Sequence, residues 1–363
     1  MKRVKSVWTI ASIYVGTVIG AGFASGQEIL LFFGLYNGYG VIGVIFATIL
    51  FCGVGVLILD KVYSKNIMSF EDFILCYLNG RLIKLIQVIV TFFLVGSYVI
   101  MITGSGTILK EHFQYNPLKG IILMSLLCFF VFNYGTKGIA RVNEIIVPIM
   151  LVIVIFVTVT IVIRFINHLD WRTIVNESNK LLLSFRNTSI IDIIALIIQV
   201  LWKGLIYVSY NTLITIVVIS TIRPLILDRK SAVMGGAFGG VMLGLLAFLI
   251  LSSLLIFWSN IYKLEIPMIA IASSLGENIK KAYSLLLLLA MFTTAIAAGH
   301  GGIMNICQLI KSPKPVVSAM ICIFAIPLTL IGFKSLISVT YPFFGYLGFG
   351  FLALIILNPS SNK

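Results

Sequence analysis

Polar residues and glycines interrupt an apolar stretch near the start of the chain. The run from residue 16 to residue 28, GTVIGAGFASGQE, contains four glycines, a serine, an amide and an acid. If a helix unwinds there, the carbonyls that end its first half and the amides that open its second half lose their partners. A cation suits such carbonyls and a carboxylate suits such amides, because a helix carries partial negative charge at its C-terminal end and partial positive charge at its N-terminal end. The run therefore favours a site for a zwitterion, although glycines four residues apart also simply allow close helix packing.

A second interruption follows in the other half of the chain. Residues 202–211, WKGLIYVSYN, place a lysine, a glycine and several polar groups inside an apolar stretch. Matching interruptions in two halves of a chain indicate an inverted-repeat transporter with its site near the middle of the bilayer.

The elements that position these residues must be membrane helices. Of 363 residues, 60% are hydrophobic and 10% are charged, and the mean hydropathy is +1.11. Soluble domains carry about 25% charged residues, so a soluble globular protein is excluded and a lipid bilayer is implied. The 26 Lys and Arg residues lie between apolar runs without forming a basic patch, which argues against a nucleic-acid partner. The five cysteines have no paired spacing and are expected to be small core residues.

We predict an all-α integral membrane protein with ten transmembrane helices, arranged as two inverted five-helix repeats with helices 1 and 6 discontinuous. The repeats comprise residues 1–166 and 190–363, and residues 167–189 form an extracellular loop. The predicted spans are residues 8–33, 38–59, 83–108, 118–134, 142–166, 190–222, 232–258, 282–310, 315–332 and 335–357.

The basic residues also predict the orientation. With the N-terminus inside, the inner loops and termini hold 15 Lys and Arg residues and the outer loops hold 10. Cytoplasmic loops carry the excess of Lys and Arg. We therefore expect a multi-pass protein of the plasma membrane with both termini cytoplasmic.

The motif Ile19-Gly20-Ala21-Gly22-Phe23 resembles the glycine-x-glycine signature in the first span of the amino acid, polyamine and organocation transporter superfamily. The longer string from Gly22 to Glu28, taken with Tyr207-Val208-Ser209-Tyr210-Asn211, is similar to the YkvI-like membrane proteins within it. The resemblance implies the fold of the bacterial leucine transporter, with the substrate bound at the two breaks. The expected substrate-binding residues are Gly20, Ala21, Gly22, Phe23, Ala24, Ser25, Tyr98, Lys203, Tyr207, Ser209 and Asn211. Lys203 is included for its charge inside the sixth span, and packing between helices is the alternative role for Tyr98.

The same resemblance implies one sodium site. Sodium-coupled members of the fold bind the ion with two carbonyls of the first span and with a small residue and two hydroxyls of the eighth. The matching positions are Gly16, Ile19, Ala290, Thr293 and Thr294. Oxygen ligands suit a hard cation, but threonine hydroxyls in a membrane helix also bond to their own backbone. A second sodium site is not expected, because Phe23 stands where that site uses an amide-bearing residue. A lysine-borne proton is not expected either, because residues 145–163 lack the lysine that proton-coupled relatives have in the fifth span.

Two charged residues, Glu28 and Lys203, fall within the predicted spans. Charges there are costly and are usually paired or functional. An ion pair between them that closes the outer side of the site is one hypothesis; independent contact with a hydrated outer vestibule is the other.

These features together predict a secondary active transporter that imports an amino acid or related small zwitterion with sodium by alternating access. Sodium is the expected coupling ion, with no other cofactor, no catalytic residue and no enzymatic activity. A nutrient sensor that binds without transport, and a channel, are the alternatives. The sequence does not set the oligomeric state.

The orientation can be tested by cysteine labelling in intact cells. Cysteines placed at Lys5 and Ser361 should resist a membrane-impermeant thiol reagent, whereas one at Asn176 should react, with the unmodified chain as background. Labelling of both termini from outside would overturn the topology.

Overall fold

The computed structural model describes residues 2–77, 80–134, 137–168 and 190–357, and the regular elements in these ranges are helices. Most of the predicted extracellular loop, with Asn176, and the position of Ser361 lie outside them.

The first half of the chain forms eight α-helices in the described part. They are α1 (Lys2–Val18), α2 (Ala21–Ala24), α3 (Gln27–Phe32), α4 (Gly40–Ser64), α5 (Phe70–Leu75), α6 (Gly80–Phe113), α7 (Pro117–Tyr134) and α8 (Lys137–Phe165). A 3₁₀ segment, Gly34–Tyr39, joins α3 to α4.

The second half contributes seven further α-helices. They are α9 (Ile190–Ile219), α10 (Arg229–Ile256), α11 (Trp258–Ile261), α12 (Pro267–Ser273), α13 (Glu277–Ile310), α14 (Lys314–Leu328) and α15 (Phe333–Leu357).

Eight helices of the described part are long and apolar enough to cross a membrane by length and composition. The other two predicted spans correspond to the shorter apolar helix α7 and to the interrupted segment α1–α3. Large apolar side chains on the outside, such as Phe92 and Ile163 at 70% and 72% exposure, are suited to lipid contact. The architecture is that of a multi-pass membrane protein.

The predicted break in the first span is present. Helix α1 ends at Val18, and Gly20 is extended, with φ −101° and ψ −173°. The Gly20 amide donates to the Val18 carbonyl (3.1 Å), whereas in a continuous helix it would donate to the Gly16 carbonyl. A second irregularity follows at Gly26, whose φ of +79° lies in the left-handed region that favours glycine.

The predicted break in the sixth span is wrong. Helix α9 runs without interruption through residues 202–211. Its polar side chains bond to their own helix, as in the hydrogen bonds from Ser209 Oγ to the Leu205 carbonyl (2.7 Å) and from Asn211 Nδ2 to the Tyr207 carbonyl (3.0 Å). Gly204 serves packing, because a methyl group added there would lie 3.2 Å from the Gly43 carbonyl oxygen of α4. Polar groups that are satisfied within the helix do not interrupt it.

A row of glycines brings α10 into backbone contact with α4. A methyl group added at Gly236 would lie 2.6 Å from the carbonyl carbon of Gly55. Gly235 and Gly239 face α1 instead, against Ile10 and Tyr14. The Tyr14 hydroxyl donates a hydrogen bond to the Phe51 carbonyl of α4 (2.9 Å). Small residues thus hold α1, α4 and α10 together, as is common between membrane helices.

This packing predicts that Gly236→Ala destabilises the protein. The new methyl group meets backbone that cannot rotate away, and overpacking typically costs about 1–3 kcal/mol. The midpoint of thermal unfolding in detergent should fall. Gly53→Ala in α4 is the matched control, because nothing lies within 4 Å of its added methyl group. Equal midpoints for the two variants would contradict the close contact.

Candidate functional site

A cavity of about 690 Å³ lies at the break in the first span. Its walls come from α1, the break with α2, α6, α8, α9 and α13, and single residues of α3 and α15. The α1 residues on its lining begin at Ser12, before the break, and the α9 residues continue to Val218 near the end of that helix. The cavity therefore extends from the break toward the face that holds the N-terminal end of α1.

All five residues expected at the sodium site line this cavity: Gly16, Ile19, Ala290, Thr293 and Thr294. The Gly16 carbonyl has lost its usual helical donor at the break, as described above. Thr293 is buried, and its hydroxyl donates to the Ala290 carbonyl (3.1 Å). A hydroxyl that donates its proton keeps its lone pairs, so this bond to the helix backbone is compatible with a cation.

The expected substrate residues divide into two groups. Gly20, Ala21, Gly22 and Asn211 line the cavity. Phe23, Ala24 and Ser25 are buried in the first span, outside its lining. The cavity thus meets the start of α2 and one amide side chain of α9.

Tyr98 points away from the cavity, although its neighbour Ser97 lines it. The Tyr98 hydroxyl lies 3.2 Å from Ser125 Oγ on α7 and donates to Cys322 Sγ on α14 (3.3 Å). These partners give Tyr98 a packing role between helices.

Three residues of α9 also lie outside the lining. Tyr207 is buried among aromatic rings, with ring centroids 5.1 Å from Phe32 and 5.2 Å from Phe33. Ser209 is buried against α15, and Lys203 is half-buried.

The hypothesis of a Glu28–Lys203 ion pair is not supported. The Glu28 carboxyl accepts a hydrogen bond from the Tyr210 hydroxyl, and among the described ion pairs none joins it to Lys203. Tyr210 is seven residues beyond Lys203, about 10 Å further along the helix axis. The two charges therefore lie at different depths.

A buried aromatic layer lies beside Glu28. Tyr210 stacks on Tyr341 of α15 with ring centroids 4.8 Å apart, and Phe32 stacks on Tyr210 at 5.9 Å. The Tyr341 hydroxyl also lies beside the Glu28 carboxyl group, since both are next to Gly22. The site prediction omitted Tyr210 and Tyr341, which both line the cavity. Tyr210 lay within the second polar run, whereas no motif marks Tyr341.

Helices α12 and α13 bind the backbone of the broken segment just before Gly26. The Tyr283 hydroxyl donates to the Ala24 carbonyl (2.7 Å), and the Met268 amide donates to the Ser25 carbonyl (3.1 Å). Within the segment, Ser25 Oγ donates to the Gly22 carbonyl (2.6 Å). Backbone groups that the irregular chain exposes are thus satisfied by other parts of the protein, as membrane burial requires.

Two proteins of Bacillus subtilis (strain 168) are similar to this chain over nearly its full length. The uncharacterized membrane protein YkvI is 26% identical over 365 residues, which cover 98% of this chain and 96% of YkvI. The uncharacterized protein YyaD is 23% identical over 352 residues, which cover 97% of this chain and 96% of YyaD. No family model matches the chain.

Solved structures show the fold. MhsT in complex with L-phenylalanine matches with a TM-score of 0.62 and 15% identity, over 96% of this chain and 88% of MhsT. The inward-facing conformation of Mhp1 matches with a TM-score of 0.51 and 11% identity, over 94% of this chain and 73% of Mhp1. A mutant of the Eremococcus coleocola manganese transporter matches with a TM-score of 0.53 and 14% identity, over 96% of this chain and 76% of that transporter.

These comparisons confirm the resemblance to a YkvI-like protein and the leucine transporter fold. The neighbours are transporters rather than enzymes, in agreement with the expectation that this chain is not an enzyme. The chain is a multi-pass membrane protein with the fold of secondary transporters.

The contact between Tyr283 and the broken segment can be tested by Tyr283→Phe. The substitution leaves the buried Ala24 carbonyl without its hydroxyl donor, which should lower the free energy of unfolding by about 1–3 kcal/mol. Thermal unfolding in detergent measures the change. Tyr115→Phe removes a hydroxyl from a residue that is 60% exposed, and should leave the midpoint unchanged. An unchanged midpoint in Tyr283→Phe would show that the bond does not stabilise the break.

Proposed function

We propose that the protein is a secondary active transporter that takes up an amino acid or a related small zwitterion with sodium by alternating access. One observation carries the proposal: the break in the first span opens onto the same cavity that all five candidate sodium residues line.

Sodium coupling is supported by the chemistry of the cavity wall. The Gly16 carbonyl, freed by the break, and the hydroxyls of Thr293 and Thr294 are oxygen ligands of the kind that hard cations bind. They come from α1 and α13, so a sodium ion between them would link the broken helix to a continuous one. Binding energy of the ion would then favour one arrangement of these two helices.

An organic zwitterion is favoured as the substrate over a divalent metal ion. The cavity is mainly apolar with a few polar groups at the break, as is typical of small-molecule sites. MhsT, which shares the fold, was solved in complex with L-phenylalanine. The manganese transporter shares the fold too, but the lining described here contains a single carboxyl group, from Glu28. Divalent metal ions usually take several oxygen ligands.

The arrangement also suggests which side is open. The cavity extends toward the N-terminal end of α1, and the aromatic layer with Glu28 lies on the other side of the break. With the predicted cytoplasmic N-terminus, the structure is then an inward-facing state. Uptake requires a second state in which the rings of the aromatic layer move apart and the inner end of the cavity closes.

The proposed function is tested by uptake into proteoliposomes. An equimolar mixture of ³H-labelled L-amino acids should accumulate when sodium is higher outside than inside. Accumulation should be lost when choline replaces sodium. Failure of every amino acid to accumulate, or equal accumulation without sodium, would contradict the proposal.

The residues of the sodium site are tested by Thr293→Val and Thr294→Val. Each change removes one oxygen ligand, and a hydrogen bond or contact to a charged group contributes about 1.5–3 kcal/mol. The sodium concentration for half-maximal uptake should therefore rise roughly 10- to 100-fold in each variant. Thr158→Val in α8 is the matched control, since Thr158 is buried, bonds to the Val154 carbonyl (2.7 Å) and lies outside the cavity lining. Unchanged sodium dependence in both cavity variants would remove this site.

A further inference from the structure

The Glu28 carboxyl group reaches the cavity from α3. Its side chain is 4% exposed and belongs to the cavity lining. One oxygen, Oε2, accepts a hydrogen bond from the Tyr210 hydroxyl, and the Tyr341 hydroxyl lies beside the carboxyl group over Gly22. Two elements that belong to the second half of the chain, α9 and α15, therefore contact the carboxyl group.

Gly22 lets this carboxyl group lie over the break. A side chain at residue 22 would collide with Glu28 Oε1, and its first carbon would also lie 3.1 Å from the Tyr341 hydroxyl. The missing side chain thus leaves room for Glu28 beside the backbone of the broken segment. A ligand in the cavity that contacts the break is also next to the Glu28 carboxyl.

Among the described residues, the carboxyl group has the Tyr210 hydroxyl as a hydrogen-bond donor but no counter-charge. The cavity lining that the structure describes includes no Lys, Arg or His side chain and no second acid. The titratable groups that face Glu28 are tyrosines: Tyr207 and Tyr210 of α9, and Tyr341 of α15. These hydroxyls are neutral at physiological pH. A buried carboxylate that no cation neutralises carries a large free-energy cost, so the site requires either a bound proton or a cationic ligand.

The aromatic stack fixes the polar edge of the tyrosines beside the carboxyl group. Tyr210 and Tyr341 stack 4.8 Å apart, and Phe32 continues the stack beyond Tyr210. The Tyr210 hydroxyl donates to Glu28 Oε2, which leaves lone pairs of the carboxylate free to accept from another donor. A primary ammonium group supplies three such donors and the missing positive charge, in a charge-assisted hydrogen bond.

We propose that Glu28 is the binding group for the ammonium of a small organic molecule in this cavity, and that it carries a proton when the cavity is empty. When the ammonium arrives, the carboxyl O–H bond breaks, the proton passes to water in the cavity, and the carboxylate pairs with the ammonium. The Glu28 site is neutral when empty, and it is again neutral when its carboxylate pairs with the ammonium group, because the released proton carries one positive charge into solution. That the ammonium compound is the transported substrate rests on the proposed function.

The test uses the purified full-length protein and three sets of probes. These are the standard L-amino acids, the primary amines that lack their carboxyl group, and the carboxylic acids that lack their amino group. Thermal-shift screening should show stabilisation by members of the first or second set and none by the third. For a stabilising compound, calorimetry gives the dissociation constant, and a pH-sensitive dye in weak buffer measures proton release. We expect about one proton per bound molecule.

Glu28→Gln removes the charge and keeps the size of the side chain and a carbonyl acceptor for Tyr210. It should weaken the binding of ammonium compounds by roughly 10- to 100-fold and abolish proton release. Glu277→Gln is the matched control, since Glu277 is an exposed acid outside the cavity lining. If Glu28→Gln does not fold, Gly22→Ala serves instead, because it displaces the carboxyl group and leaves the charge in place.

Three results would each overturn the inference. They are unchanged affinity in Glu28→Gln, equally tight binding of the acids that lack an amino group, and no binding of any amine or amino acid. The proposed function fails separately. Sodium-driven accumulation with unchanged binding in Glu28→Gln would reject the role of Glu28 alone, whereas Glu28-dependent binding without sodium-driven accumulation would reject transport alone.

Discussion

A bilayer provides no water to hydrogen-bond the backbone, and the broken first span is where this chain meets that constraint. The segment from Ile19 to Gly26 leaves the regular helix twice. It is stable at membrane depth because other parts of the protein supply the missing partners, as Tyr283 and Met268 do for the carbonyls of Ala24 and Ser25. Gly16, whose carbonyl lost its helical donor, instead lines the cavity. The cavity therefore lies where the first span leaves the regular helix.

The sequence predicted the break in the first span and mispredicted one in the sixth, and the reason is local. At Gly20 and Gly26 the backbone adopts conformations that a regular helix does not contain, one extended and one left-handed. In α9 the lysine, glycine and amide resemble the same signal, but Asn211 bonds to its own helix and Gly204 makes room for α4. Polar residues in an apolar run indicate a break only where their hydrogen bonds leave the helix. That information lies in the tertiary contacts and not in the composition of the run.

The prediction of the site residues was also limited by tertiary contacts that the sequence does not display. The five candidate cation residues were implied by the resemblance to sodium-coupled transporters, and their spacing agreed with it, because positions 290, 293 and 294 share one face of a helix. For Tyr98 the sequence left a cavity role and a packing role open. Neighbouring positions on a helix point about 100° apart, so Ser97 lines the cavity and Tyr98 does not. Tyr341 could not be found, since nothing in the last span distinguishes a tyrosine that contacts Glu28 from one that contacts lipid. Rotation of each helix about its own axis is set by packing, which a single sequence does not display.

The two halves of the chain therefore contribute different chemistry to one cavity. The broken first span presents backbone groups at Gly16 and Ile19–Gly22, whose positions are fixed by the path of the main chain. The continuous helix α9 has its backbone groups engaged in helical bonds and presents side chains instead, Tyr210 and Asn211. Under the two proposals, the backbone groups of the break and the Glu28 carboxyl group bind what all amino acids share. Discrimination among substrates should therefore depend on the other side chains of α9 and on the rings beside Glu28.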